Sequence, residues 1–301
     1  VLLALLAGGL SVSLAHAADQ TFRAADVFIQ GQPLASADIV WPDASLHQVY
    51  VANRSNKGID IFDTQTNTFV KTIPGFVGVV LKADGTVNND ASGPNGVLVS
   101  QSGKELYAGD GDSTVKVIDL EAGGVVATIP TGGQNRADEL AYDPQDQLIL
   151  IANDADDPPF LTFISTASRS VVGKIMYPEA TDGIEQPLWD AQLGMFFQAV
   201  PESKDNPGGE IDVIDPKSMT VVKRFSSVGD PSNHCHPQGL ALGPNQHLLT
   251  GCNPAAADGS PRAVIFDANT GELVVPPIDQ PGGADEVWYN AGDHRYYLAE
   301  R

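Results

Sequence analysis

Apolar and polar residues alternate in short runs along most of the chain, and tight polar turns separate the runs. A period of two marks half-buried β-strands. One pattern occurs six times: an apolar strand, a polar turn, and a second apolar strand that closes on a polar residue in most copies. The copies are residues 38–53 (DIVWPDASLHQVYVAN), 95–110 (NGVLVSQSGKELYAGD), 138–153 (DELAYDPQDQLILIAN), 185–200 (EQPLWDAQLGMFFQAV), 238–253 (QGLALGPNQHLLTGCN) and 285–300 (DEVWYNAGDHRYYLAE). They align without gaps. Five are followed by a second two-strand unit: GIDIFDTQTNTFVKTI, TVKVIDLEAGGVVATI, FLTFISTASRSVVGKI, EIDVIDPKSMTVVKRF and RAVIFDANTGELVVPP.

Each full repeat is therefore four short antiparallel strands, and the repeats start every 40–60 residues or so, the signature of a β-propeller blade. A β-sandwich would not explain gapless repetition of a four-strand unit. The expected fold is all-β, a propeller of six four-stranded antiparallel blades in a single domain over residues 18–301. The sixth copy stops after its second strand. Residues 22–29 (FRAADVFI) are expected to supply the outermost strand of that blade and close the ring. Its third strand is then missing, which implies a chain truncated at the C-terminus; seven blades in a full-length protein stay open.

Turns in such a fold alternate between two faces. The turns from first to second strand and from third to fourth strand are short hairpins, such as residues 42–45 and 268–271. On the opposite face the connections are longer and varied: residues 75–94, 153–159, 177–183, 201–209, 227–237 and 253–261. Elaboration confined to one face suggests that this face binds something.

Residues 1–17 (VLLALLAGGLSVSLAHA) form an apolar run ending in a small-x-small site and read as the remnant of a secretory signal. The run is shorter than the ~20 residues a membrane span needs. An exported protein, periplasmic or secreted, is expected, monomeric and not inserted in a membrane. In an oxidising compartment Cys235 and Cys252 can bridge. Cys235 begins one strand of a hairpin and Cys252 ends its partner, so the two should lie within disulfide reach.

Composition narrows the partners. Among 301 residues, 38 Asp and Glu oppose 17 Lys and Arg, a formal net charge of −21. Such a charge opposes binding to nucleic acid or to anionic lipid. Hydrophobic residues make up 42%, too many for a disordered acidic chain. The chain contains no GxSxG, HExxH, phosphate-binding loop or dinucleotide fingerprint. No nucleotide or organic cofactor is therefore expected.

The first aligned position of the six copies holds Asp38, Asn95, Asp138, Glu185, Gln238 and Asp285, and the next position adds Glu139, Gln186 and Glu286. First strands converge on the propeller axis, so these side chains should form a polar ring at one channel mouth. Crowded carboxylates raise one another's pKa or recruit a cation. An oxygen-only set suits Ca²⁺ before Mg²⁺ or Mn²⁺. Asn95, Asp138, Glu185 and Asp285 are the candidate ligands, with Asp38 and Gln238 in the same ring; a ring that only hydrates the channel and a carboxylate acid/base pair without metal are the alternatives.

His234 and His236 flank Cys235 and are candidates for a Zn or Cu site, or for a general base at the rim, His236 above all; two solvated loop histidines is the plainer reading. His47, His247 and His294 fall on the hairpin face. Residues 153–157 (NDADD) could hold surface Ca²⁺ or be a solvated acidic loop. Trp41, Trp189 and Trp288 are expected to pack between blades.

The runs YVAN (50–53), LYAGD (106–110), VKVID and IDVID resemble the YVTN-repeat propellers, also called YncE-like or lactonase-like. The resemblance covers nearly all of the chain after the signal and implies an exported bacterial protein with a binding or surface role. Residues 94–96 (PNG), followed by a strand and SGK at 102–104, are similar to the six-bladed gluconolactonase, paraoxonase and strictosidine synthase group. That likeness implies an axial Ca²⁺ held by Glu, Asn and Asp at inner-strand starts, where Asn95, Glu185 and Asp285 stand. Two functions follow. One is a binding or scaffold propeller for a small molecule, glycan or protein; the other is a metal-dependent lactonase or esterase using His236 as base.

Overall fold

The computed structural model describes residues 27–226, 235–253, 263–279 and 283–299. The signal segment, residues 22–26, His234 and the loop 227–234 lie outside the described residues.

Alternation is realised as strands throughout. The first blade pairs Val40–Asp43, Gln48–Asn53, Gly58–Asp63 and Thr68–Pro74 in sequence order, all antiparallel. The second (Val97–Val99 to Gly124–Pro130), third (Leu140–Asp143 to Ser170–Met176) and fourth (Pro187–Asp190 to Thr220–Ser226) repeat that order. The fifth has three regular strands, Pro237–Leu242, His247–Cys252 and Ala263–Asp267. A sixth sheet has two, Glu286–Asn290 and Arg295–Ala299. The propeller expected from the repeat is thus present.

Neighbouring sheets pack face to face through apolar cores, and the sixth sheet leaves much of its surface exposed, at Trp288 and Tyr297 among the described residues. Ile59, Tyr50, Val97 and Leu106 form one core between blades one and two. Equivalent cores join two to three around Tyr107 and Ile149, and three to four around Phe163 and Phe196. Phe197 and Phe266 join four to five, and Leu249 and Val287 join five to the sixth sheet. Between the sixth sheet and blade one, Trp288 meets Trp41 edge-on at 5.3 Å between ring centroids. The Glu286 carboxylate also accepts the Val40 N–H at 2.7 Å, so the circle closes.

The hairpin face follows one rule. A residue in left-handed conformation stands four places after the ends of first and third strands: His47 (φ 54°), Asn67 (φ 54°), Gln147 (φ 55°) and Met219 (φ 53°), with Gly123, Gly194 and Gly271 in equivalent turns. The strand end itself is usually Asp. Asp43 Oδ1 accepts the N–H groups of Ser45 and Leu46; Asp63, Asp143 and Asp190 do the same in their turns. This is Asx-turn chemistry, with Asp substituting for a backbone acceptor. Part of the acidity is thereby turn structure. A register shift recurs at one place between third and fourth strands, at Ile61/Phe62, Val117/Ile118, Phe163/Ile164 and Val213/Ile214. A bulge at the same step in four blades sets the twist of the outer strand.

Two expected strands differ. In blade five, residues 273–278 meet the third strand only through the isolated bridges Phe266↔Leu273 and Ala263↔Ile278. Pro276 and Pro277 offer no N–H there, so a continuous ladder cannot form. Residues 27–29 form no strand and do not extend the sixth sheet. The adjoining segment is held on blade one instead, where Asn56 bonds Gln32 and Gln30 and the Ser55 hydroxyl accepts from Ala35 and Ser36.

Cys235 and Cys252 form a disulfide with a Cα–Cα distance of 4.7 Å, as their places on the hairpin suggest. It is consistent with an oxidising compartment. Among the described residues no helix is long and apolar enough to cross a membrane.

Candidate functional site

The polar residues at the first-strand starts divide into two groups, and arginines do the dividing. Arg54 follows the second strand of blade one and is buried. It donates from Nε and Nη2 to Asn95 Oδ1 at 3.0 and 2.7 Å, and from Nη2 to Asp38 as well. Asn95 is spent further by donating to the Ala137 carbonyl at 3.1 Å. Arg136 pairs with Asp138 at 2.8 Å and with Asp154 at 2.6 Å. So Asn95, Asp38 and Asp138 of the expected ligand set are engaged by guanidinium groups. The residues 153–157 segment is likewise wired to its neighbours rather than curled round an ion: Asp154 binds Arg136, and Asp156 accepts the Gln134 N–H.

The second group lies on blades three, four and six. Glu139, Glu185 and Asp285 each place a carboxylate oxygen within 4.8 Å of the others. Glu185 and Asp285 belong to the expected set; Glu139 stands at the second ring position, outside it. Gln238 is buried in the ring on blade five.

The second ring position explains Glu139. Glu286 there accepts the N–H of Val40 on the next blade, and Gln186 accepts that of Leu240 on its next blade at 2.5 Å. The equivalent recipient for Glu139 is Pro187, which has no N–H. Glu139 is 4% exposed, and its Oε2 is buried with no partner among the described residues. Burial, reinforced by Asp138 and Glu185, holds its carboxyl well above the usual range. Burial likewise pushes Glu286 up to about 7 and raises Asp138 despite Arg136. A buried carboxylate oxygen without a donor costs free energy that a proton or a cation recovers. Carboxylate oxygens just ahead of three first strands fit a hard divalent ion.

His236 is 9% exposed, just ahead of the first strand of blade five, with its backbone tied to Gly208 and Asn253. A pairing with His234 falls outside the described residues. His47 and His294 are exposed hairpin residues, as their positions suggested. The long connection 75–94 packs over the mouth: Asn89 accepts from Arg54, and the Asp90 carbonyl accepts the Arg136 N–H at 2.7 Å.

A smaller cavity of about 100 Å³ opens on the same face of blade four beside Tyr177, Glu210 and Arg224. Behind it Asp212 is wholly buried, and burial followed by Glu210 pushes it up to about 7. Its counterpart in blade one, Asp60, is met instead by Asn53 and Thr72.

No family model matches the chain, and no curated protein sequence matches it. Solved structures do resemble it. A chain of the Kuenenia stuttgartiensis hydrazine synthase superposes with a TM-score of 0.64 at 17% identity, covering 85% of this chain and 80% of that one. The structure of U3-55K gives a TM-score of 0.59 at 13% identity, covering 81% of this chain and 64% of that one. At such identities the likeness concerns the fold: the chain is a β-propeller.

Proposed function

We propose that the chain is an exported propeller that binds a ligand on its elaborated loop face, with a divalent cation held at the acidic mouth of the axial channel. The observation that carries the reading is Glu139: a buried carboxylate oxygen, left without a donor by Pro187, beside Glu185 and Asp285. These three residues would hold the ion. Ca²⁺ is the natural choice for carboxylate oxygens alone. When bound, the ion supplies positive charge that neutralises the cluster and presents a Lewis acid to an oxygen-bearing ligand. Arg54, Arg136 and the 75–94 connection brace the other side of the mouth. Export is supported by the signal-like residues 1–17 and the disulfide.

The test is metal analysis by native mass spectrometry of the mature protein. One divalent ion per chain, removed by chelator and absent from Glu139→Gln, is the expected result. A chain that takes up no ion at millimolar Ca²⁺ contradicts the reading.

The lactonase or esterase reading rests on the same cluster, with His236, buried where the chain enters blade five, as the base. It requires turnover of a lactone or aryl ester that falls with both Glu185→Gln and His236→Ala. Turnover that survives either change rules it out.

A further inference from the structure

Below the carboxylate mouth the axial channel changes character. A cavity of about 530 Å³ is lined by the first strands of all six sheets. Its walls include Trp41, Tyr142, Trp189, Leu242, Trp288 and Tyr289. Among the described residues, Gln101 and Gln186 supply the only side-chain amides of its lining, and no Asp, Glu, Lys, Arg or His borders it. The sequence expectation put the tryptophans between blades. Trp41 and Trp288 do meet there, yet all three indoles also face this space.

The cavity has a direction. Glu139 and Glu185 immediately precede its lining residues Leu140 and Gln186, so the acidic cluster stands at its inner end. Its other lining residues run to Pro144 and Ala191, which belong to the hairpin turns. It therefore opens on the hairpin face, opposite the elaborated loops. Ala191 at that rim is exposed, and Trp288 is 36% exposed.

We propose that this half of the channel is a second binding site, for a neutral apolar small molecule with aromatic or aliphatic bulk. Four physical points define the class. The volume falls within the ~300–1,000 Å³ of small-molecule pockets and is too small for a folded partner. Aromatic walls give large contact area to an apolar body. No cation is present to meet an acid, and the carboxylates at the inner end repel one. The Trp189 Nε1–H is buried without an acceptor among the described residues, so the wall has a donor to offer a ligand oxygen.

The protein reports on its own site, because its three tryptophans all line it. The experiment titrates the mature protein, in chelator, with N-phenyl-1-naphthylamine while tryptophan is excited. Chelator makes the result independent of the cation at the mouth. Saturable loss of tryptophan emission with matching gain of dye emission is expected. Leu242→Arg and Ala191→Arg should each weaken binding by about ten-fold or more, since a guanidinium replaces apolar contact. The second change sits on an exposed turn and spares the core. 1-Anilinonaphthalene-8-sulfonate has the same rings plus a negative charge, and should bind about ten-fold more weakly or worse. No saturable response up to the solubility of the neutral dye overturns the proposal. So does unchanged binding in both arginine variants with wild-type circular dichroism, or equal binding of the two dyes.

Discussion

A single proline sets the chemistry of the mouth. Glu286 and Gln186 are satisfied by the neighbouring blade, and Glu139 is not, because Pro187 stands where the donor should be. The aligned ring was legible in the sequence, and so were Glu185 and Asp285. Which ring members the arginines engage was not. That choice depends on Arg54 and Arg136, which approach from outside the aligned column and engage Asp38, Asn95 and Asp138. The buried carboxylates also fix a pH dependence. Glu139, Asp138 and Glu286, the last at about 7, have folded pKa values above their unfolded ones. The native state therefore binds more protons than the unfolded chain between about pH 4 and 7, and stability falls as pH rises through that window. In chelator, the thermal midpoint should be lower at pH 8 than at pH 5. Glu139→Gln, which copies the neutral form, should leave the midpoint at pH 5 unchanged and raise it at pH 8. A midpoint that rises toward pH 8 in chelator contradicts this assignment.

Hairpins are the element that the sequence states most clearly. Period-two alternation and an Asp at the strand end mark them in advance, and the left-handed residue four places on completes the turn. The recurrent bulge leaves no compositional trace, since it changes register without changing the apolar pattern. The irregular outer segment of blade five could have been read from Pro276 and Pro277, whose missing N–H groups outweigh the apolar residues before them. Asp43→Ala removes an acceptor for two N–H groups and the Ser45 hydroxyl, and should cost about 0.5–1.5 kcal/mol by denaturant unfolding. His47→Gly should stabilise by up to about 1 kcal/mol, because glycine adopts φ 54° without steric penalty. The turn carboxylates act on the acid side. Backbone N–H and hydroxyl donors hold Asp63 and Asp215 below the usual range, and the Asn269 side-chain amide with backbone N–H groups does so for Asp267, so what they contribute is present above about pH 4 and is lost as pH falls through their folded values. With the buried carboxylates failing on the alkaline side, the metal-free protein should be most stable near pH 5.

At the scale of the whole molecule the channel is polarised: carboxylates at the loop face, aromatic rings at the hairpin face. The repeat made the ring of blades legible, and with it the six inner strands. The apolar half was hidden because tryptophan within a strand looks the same whether it packs between sheets or lines an axis. The Cys235–Cys252 bridge closes a short loop in blade five, and Cys235→Ser with Cys252→Ser should cost about 2–4 kcal/mol of stability. The acidic residues include turn aspartates, arginine-paired carboxylates and the axial cluster, and the proposed cation sits at the last. Calorimetric titration of the chelator-stripped mature protein with Ca²⁺, beside Glu139→Gln, tests that claim most directly. The account predicts one saturable site in the wild type, tighter at pH 8 than at pH 5, and none in the variant. Absence of binding in the wild type, or the same isotherm in both proteins, would contradict it.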